Sequence, residues 1–446
     1  MKKIDFEKIK AVHFMGIGGI GVSALARKML MDGKFVSGSD RTETGITKEL
    51  RKIGADIFIG HRKSNLDQLA ITGRRCCGVV IYSPAIANNN VELVEAKKMG
   101  IPALSYPEAL GIISKDYYTI AVSGTDGKTT TTAMLAKVFE KADLDPTVVI
   151  GSLFKKRKSN FIAGKSKYFI IEACEYKRSF LNLHPKILVV TNINLDHLDY
   201  YKDLKDIQGA FRELVMKLGK KDYLVCNAKK PNIAPVIKGI KCRIVDYSDY
   251  FNSGLKLKIP GKHNLENAAV CLAVAALTGI DLKKARKTLG NFEGVWRRFE
   301  YKGKTKKGAL VYDDYAHNPK EVRASLRGFR EFFPNKKITV VFQPHLYSRT
   351  KFFLDNFAKS FNDADEIFIA PIYAAREKND PSINSEMLGD KIGKFSKNVF
   401  CFNGFKGILA RFKNNSIGCH YFCDAVIITM GAGDIYKIGE ELVDSG

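Results

Sequence analysis

No stretch of this 446-residue chain approaches the ~18 consecutive apolar residues that a membrane-crossing helix needs, so membrane insertion is not expected. The opening residues, Met1 to Glu7, are polar and run straight into a strand pattern, so no secretory leader is expected either. Low-complexity tracts are absent, and nothing repeats at a period of about 20–50 residues, which excludes solenoids and propellers. Cysteine is sparse and scattered. Nine are present, an odd number, and neither Cys76-Cys77 nor Cys419 with Cys423 has the C-x-x-C spacing of a zinc site. A disulfide framework is therefore excluded, and reduced thiols suit a cytoplasmic protein. Acidic residues are the scarcer charge: 47 Asp+Glu face 72 Lys+Arg, a net +25. Nucleic-acid binding would want that excess clustered and interleaved with aromatics. Instead Lys is spread along the chain, with only short groups such as Lys155-Lys156-Arg157-Lys158, so anionic small substrates are expected and no nucleic acid.

Hydrophobic residues make up 45% of the chain, enough for sizeable cores, and the length suits about three domains. Residues 10–107 alternate strand and helix patterns: strands at 11–15, 35–40, 78–82 and 101–104, with a helix over 21–31. A second block begins near Ser114 and a third near Trp296. The second has strand patterns at 117–122, 168–172 and 187–192 and a helix over 264–278. The third has strands at 309–313, 337–342, 366–370 and 425–430. The expectation is an α/β chain of three domains: Rossmann-like over 1–107, a central P-loop ATPase type over 108–295, and Rossmann-like again over 296–446.

The strongest local signal is Gly124-Thr125-Asp126-Gly127-Lys128-Thr129-Thr130. It lies between a buried-strand pattern and an apolar-spaced helix, the arrangement of a phosphate site at a helix N-terminus. Lys128 supplies a point charge for β/γ-phosphates and Thr129 a hydroxyl for Mg²⁺. The usual P-loop has a further Gly five residues before Gly127; here that position is Val122. Gly16, Gly18, Gly19 and Gly21 give a G-x-G-x-x-G-like turn after a strand, with Asp40 ending the next strand. By itself this reads as NAD binding, but a glycine turn at a helix N-terminus suits any pyrophosphate, UDP included. Glu172, and Asp196 with His197, follow strands of the ATP block. Either they are a surface acid and a core imidazole, or, beside a nucleotide, they serve Mg²⁺. The stretches 313–319 and 343–350 follow strands of the third block, where ligand loops belong.

Eight strings in one order resemble the Mur ligases of peptidoglycan synthesis across nearly the whole chain: 13–21, 124–130, 172–175, 191–199, 261–267, 297–299, 313–319 and 343–349. The shortened P-loop is itself a trait of that family. Within it the strings sit nearest the alanine-adding branch. The resemblance implies an enzyme that uses ATP and Mg²⁺ to join L-alanine to the lactyl carboxylate of UDP-N-acetylmuramate, working as a monomer or weak homodimer. It implies that Gly18, Gly19 and Gly21 face the substrate phosphates and that Asp40, His61 and Asn65 reach the uridine end. Gly124, Thr125, Asp126, Gly127, Lys128, Thr129 and Thr130 would hold ATP, with His263, Asn264 and Asn267 at the adenine and Asp313 and His317 near the nucleotide. Thr129, Glu172 and His197 would serve the metal, and Lys128, Glu172, His197 and Arg298 the chemistry. Tyr315, His345 and Arg349 would face the muramate and the amino acid.

The implied chemistry needs no nucleophilic side chain. The lactyl carboxylate attacks the γ-phosphate, and the amine of alanine then displaces phosphate from the acyl phosphate. Three positions depart from the family pattern: Asp126 inside the loop, an acid beside triphosphate; Leu346, where an Arg is common; and Cys174, where Asp is the usual form although a similar variant occurs in the alanine-adding branch. The alternatives are a murein tripeptide ligase with the same chemistry and an NAD-dependent oxidoreductase; the second leaves Lys128-Thr129 and 261–267 unexplained.

Overall fold

A computed structural model describes the chain except for residues 1–3, 68–77, 155–156, 158, 199, 252–253, 376, 414–423 and 445–446. Cys76, Cys77, Cys419, Cys423 and Asp199, and all but Arg157 of the basic group at 155–158, lie outside the described residues. Three sheets carry the fold. The first contains β1 (Ala11–Met15), β2 (Phe35–Asp40), β3 (Asp56–Ile59), β4 (Gly78–Tyr82) and β5 (Ala103–Ser105), in the order β3-β2-β1-β4-β5 with every pairing parallel. The order reverses at β1, so the glycine turn after β1 opens at the topological switch point, where such sheets take ligands.

The second sheet holds β6 (Tyr118–Ser123), β7 (Thr147–Phe154), β8 (Ser159–Ile162), β9 (Tyr168–Glu172), β10 (Ile187–Val190), β11 (Tyr223–Cys226) and β12 (Arg243–Asp246). Its order is β12-β11-β10-β6-β9-β7-β8, parallel except for the β7–β8 pair at the edge. The P-loop strand β6 is flanked by β10 and β9, which puts the ends of all three side by side. The third sheet holds β13 (Glu300–Lys304), β14 (Leu310–Asp314), β15 (Lys337–Phe342), β16 (Glu366–Ile369), β17 (Val399–Cys401) and β18 (Ala425–Met430), ordered β13-β14-β18-β15-β16-β17. Only β13 is antiparallel.

The chain forms two compact units, residues 1–255 with 266–289 and residues 256–265 with 290–446. The first two sheets share the first unit. Their cores are continuous: Phe14 and Leu25 from one side and Phe169 and Leu188 from the other belong to one buried cluster. The β7–β8 ribbon, which no sequence pattern announced, explains the fusion, because helix Ile20–Met31 packs on it. Asn160, on β8 and 1% exposed, donates to the carbonyl of Ile20 and to Ser23 Oγ (2.9 Å). Among the described residues no helix is long and apolar enough to cross a membrane.

The expected strands are all present, with small shifts. The 101–104 pattern becomes β5 at Ala103–Ser105, because Pro102 has no N–H for the ladder. The expected helix over 264–278 runs Lys262–Leu277. Asn160→Ala removes two hydrogen bonds to buried groups and is expected to lower stability by about 1–3 kcal/mol. Urea unfolding of the variant against the parent chain measures it.

Candidate active site

The P-loop is a turn from β6 into helix Lys128–Lys141. Gly127 is left-handed at φ 82°, and a Cβ there would lie 2.5 Å from Asn267 Oδ1, so only glycine closes this turn. The backbone is held from the neighbouring strand. Thr125 N–H donates to the carbonyl of Asn192 (3.1 Å), Asp126 N–H donates to Asn192 Oδ1 (2.9 Å), and Thr191 Oγ1 donates to the carbonyl of Asp126 (2.7 Å). This lashing explains how a loop shortened at Val122 keeps its shape. It also places the charge of Asp126: its carboxylate accepts from Asn194 Nδ2 at 2.9 Å. Among the residues expected at ATP, Asp126 thus binds the 191–194 loop with both its N–H and its side chain.

Lys128 Nζ donates to the carbonyls of Gly124 (2.6 Å) and Thr125 (3.0 Å) and to Glu175 Oε1 (3.0 Å). Burial alone would lower the ammonium, but Glu175 outweighs it and holds Lys128 above its usual range. Burial pushes the Glu175 carboxyl up; Lys128 and His197 pull it down further, and it stays ionised. Glu175 is 2% exposed and was legible only as a letter in a motif. No local pattern ties it to a lysine 47 positions away.

Thr129 Oγ1 donates to Glu172 Oε1 (3.0 Å), and Gly151 N–H donates to Glu172 Oε2 (2.8 Å). His197 stands in the left-handed region at φ 53°, with Nε2 3.5 Å from Glu175 Oε1 and its ring 4.9 Å from that of Tyr176. A non-glycine residue in that region is a strained conformation that the surroundings must hold. Two of the three expected metal residues, Thr129 and Glu172, are thus in contact, while His197 faces Glu175. Among the described residues no three His, Cys, Asp or Glu side chains gather as a protein-only metal cage. A hydroxyl beside one carboxylate at a helix N-terminus suits a hard cation that takes its other oxygens from phosphate.

At the first sheet, Gly18 N–H donates to Asp40 Oδ2 at 2.8 Å, so Asp40 braces the glycine turn directly. A Cβ at Gly21 would lie 2.8 Å from the ring of Tyr106. A cavity of about 270 Å³ begins at Ile20 and Gly21, passes Tyr106, and reaches Gly151, Glu172 and Cys174. It joins the glycine turn to the acid beside Thr129. His61 and Asn65, expected at the uridine end, converge on a buried carboxylate that sequence reasoning missed, Glu92.

In the second unit Tyr315, His317, His345 and Arg349 come together. The His317 ring lies 5.4 Å from Tyr315 and 5.9 Å from His345, and Arg349 Nη1 is 3.1 Å from His345 Nδ1. Tyr373, unanticipated, stacks on His345 at 5.7 Å. Asp313 is not presented to a ligand here. It is wholly buried, accepting from Arg297 Nε (2.8 Å) and Thr429 Oγ1 (2.6 Å). Arg297 also donates to the carbonyls of Gly431 and Gly433 and lies over the rings of Tyr315 and Tyr436. Arg298, expected to be catalytic, lies over the Tyr315 ring at 5.1 Å, with Nη1 3.9 Å from Glu321. The adjacent pair divides its work by burial, which the letters alone do not show. Leu346, in the place of an Arg, is 3% exposed at φ 70° and starts the helix Tyr347–Phe352. Asn264 Nδ2 donates to the carbonyl of Pro260 (2.6 Å), and the His263 ring packs against Gly261.

Residues 11–118 match the Mur ligase family catalytic domain, 122–253 the Mur ligase middle domain, and 297–433 the Mur ligase glutamate ligase domain. The chain belongs to the Mur ligase family. It is 40% identical to a UDP-N-acetylmuramate–L-alanine ligase of Clostridium botulinum, covering 98% of both chains. It is 39% identical to one of Acetivibrio thermocellus, covering 98% of this chain and 96% of that one. A crystal structure of UDP-N-acetylmuramate–alanine ligase from Thermotoga maritima superposes with a TM-score of 0.77 at 28% identity, over 98% of each chain. A murein peptide ligase from Psychrobacter arcticus shares the fold, with a TM-score of 0.69 at 21% identity over 97% and 98%. As a Mur ligase the chain is an ATP-dependent ligase, which removes the oxidoreductase alternative.

Two outcomes check this geometry. Arg297→Ala strands Asp313 as an unpaired buried carboxylate and is expected to cost about 3–5 kcal/mol in calorimetric unfolding, while Arg298→Ala leaves stability within about 0.5 kcal/mol. The Glu92 carboxyl is pushed up by burial but pulled down more by the His13 and His61 rings and its hydrogen bonds, to about 2. Its folded value is depressed, so its stabilisation is present above the ordinary carboxylate range and is lost as pH falls from about 4.5 towards 2. Unfolding midpoints between those limits are expected to drop, and to drop less steeply in Glu92→Gln.

Proposed function

We propose that this Mur ligase joins L-alanine to the lactyl carboxylate of UDP-N-acetylmuramate through an acyl phosphate, in the cytoplasm, as a monomer or weak homodimer. The observation that carries the reading is the cavity that runs from the glycine turn at Gly21 to Glu172 within one compact unit. A UDP-sugar anchored by its pyrophosphate at the turn has a path for its lactyl carboxylate to the nucleotide loop. The curated relatives at 40% and 39% identity carry this activity in their names and match nearly end to end.

Lys128 faces the β- and γ-phosphates once Glu175 releases it, and its charge offsets the meeting of two anions. Thr129 and Glu172 hold Mg²⁺, which supplies charge neutralisation at the transferring phosphoryl group. Asn267, against Gly127, takes the adenine end with His263 and Asn264, and His317 is assigned to the nucleotide. Tyr315, His345 and Arg349 are assigned to the acceptor; the guanidinium of Arg349 suits the alanine carboxylate in bidentate geometry. We read the working domains as 1–107, 108–295 and 296–446.

Phosphate release with UDP-N-acetylmuramate, ATP and Mg²⁺ is expected with L-alanine and to be much weaker with glycine, L-serine or a muramyl-type tripeptide. Turnover with the tripeptide alone would make the chain a recycling ligase instead. Lys128→Ala is expected to reduce kcat by at least about 10³-fold, since it removes the point charge proposed for the phosphates. Its circular dichroism should match that of the parent chain.

A further inference from the structure

The first sheet contains a buried ionisable cluster that no step above uses. Glu92 is 0% exposed, and its carboxylate gathers donors from three separate elements. Ser39 Oγ on β2 donates to Oε2 at 2.6 Å. His61 Nδ1, after β3, lies 3.1 Å from the same oxygen. The Arg62 N–H reaches Oε1 at 3.3 Å, and Asn65 Nδ2 donates to Oε1 and to the carbonyl of Gly60 (3.0 Å). His13 of β1 flanks the group, its Nε2 3.8 Å from Oε2.

Glu92 comes from the opposite side of the sheet. It sits in the first turn of helix Val91–Lys98, after β4, and Asn90 caps that turn by accepting from the Glu92 N–H at 2.9 Å. The helix N-terminus favours the negative charge. The carboxylate therefore spans the switch point, joining the β4 side to the β2–β3 side above β1. An ionised carboxylate only accepts, so the His61 nitrogen facing it must carry a proton. A neutral His61 ring then presents Nε2 as an acceptor, and the rotamer and tautomer are both set by Glu92. Purely structural stabilisation of a sheet rarely calls for a buried acid, given the cost of taking a charge out of water.

We propose that Glu92 is a positioning residue for the uridine end of the UDP-sugar, fixing the 60–65 loop and the His61 ring through this buried hub. The inference rests on the function proposed above and on the reading, implied by the family resemblance, of His61 and Asn65 as uridine-side residues. It expects an effect confined to one substrate. Glu92→Gln puts an amide donor where two or more donors converge and so frees the loop.

Steady-state kinetics and titration calorimetry with UDP test it. In Glu92→Gln the KM for UDP-N-acetylmuramate is expected to rise about tenfold or more, as when outer-shell partners of a ligating His are removed. The Kd for UDP should weaken alike, with kcat and the KM for ATP within about twofold. Two-bond ¹⁵N–¹H spectra should show the Nδ1–H tautomer at His61 in the parent chain and its loss in the variant. Unchanged UDP affinity, or an equal loss towards both substrates, overturns the proposal. Should Glu92→Gln fail to fold, Ser39→Ala removes one donor and is expected to weaken UDP about threefold; no change there overturns it equally. A parent chain that binds UDP but does not turn over UDP-N-acetylmuramate would fail the function reading and leave this one standing. A parent chain that does not bind UDP fails both.

Discussion

Lys128 is a cation held where water is scarce, and its pairing with Glu175 is the contact around which the nucleotide loop is arranged. The Lys128 side chain is 13% exposed and its partner 2%, so neither charge is solvated by bulk water. Breaking such a pair from one side costs several kcal/mol, whereas exchanging one anion for another does not. In the function proposed above, a γ-phosphate is the anion that would substitute for Glu175. The resting pair thus keeps the lysine at the mouth of the loop without a penalty for waiting, and the same acid holds His197 close by.

The theme recurs at each sheet. The first centres on Glu92, the second on Glu175, and the third on Asp313 with Arg297. In each case a carboxylate lies beneath a C-terminal edge and ties together loops from strands that are not neighbours in sequence. Parallel sheets place their ligand loops on that edge, so a buried acid there sets loop positions for binding. Glycine supplies the complementary requirement. At Gly21 and Gly127 side-chain atoms of Tyr106 and Asn267 come closer than a Cβ allows, so a side chain at either position would clash.

Much of the architecture is legible along the chain. Apolar runs such as 187–190 and 425–430 read as central strands because they are buried on both faces, and they are. The glycine strings sit where a strand must turn into a helix. Less legible were the edge elements. β7 and β8 carry glycine, serine, threonine and asparagine among their apolar residues, and an antiparallel ribbon at a sheet edge has no periodicity strong enough to stand out. That ribbon is what joins the first two sheets into one unit. At the site, Lys128, Thr129, Glu172 and His197 were legible through chemistry and spacing, while Glu92, Glu175, Arg297 and Tyr373 were not.

By itself the sequence determined the strand–turn–helix units, the glycine turns that join them, and the order of motifs that marks the family. These are local properties: they depend on periodicity over a few residues and on which side chains a turn tolerates. The tertiary structure alone decided which carboxylate meets which cation. Asp126 turned out to face Asn194, Arg297 rather than Arg298 proved to be the buried partner of Asp313, and Glu175 was found on Lys128. The physical reason is that sheet order brings together residues dozens of positions apart. Burial then obliges each charge to find partners among them, and neither is written in the neighbouring letters.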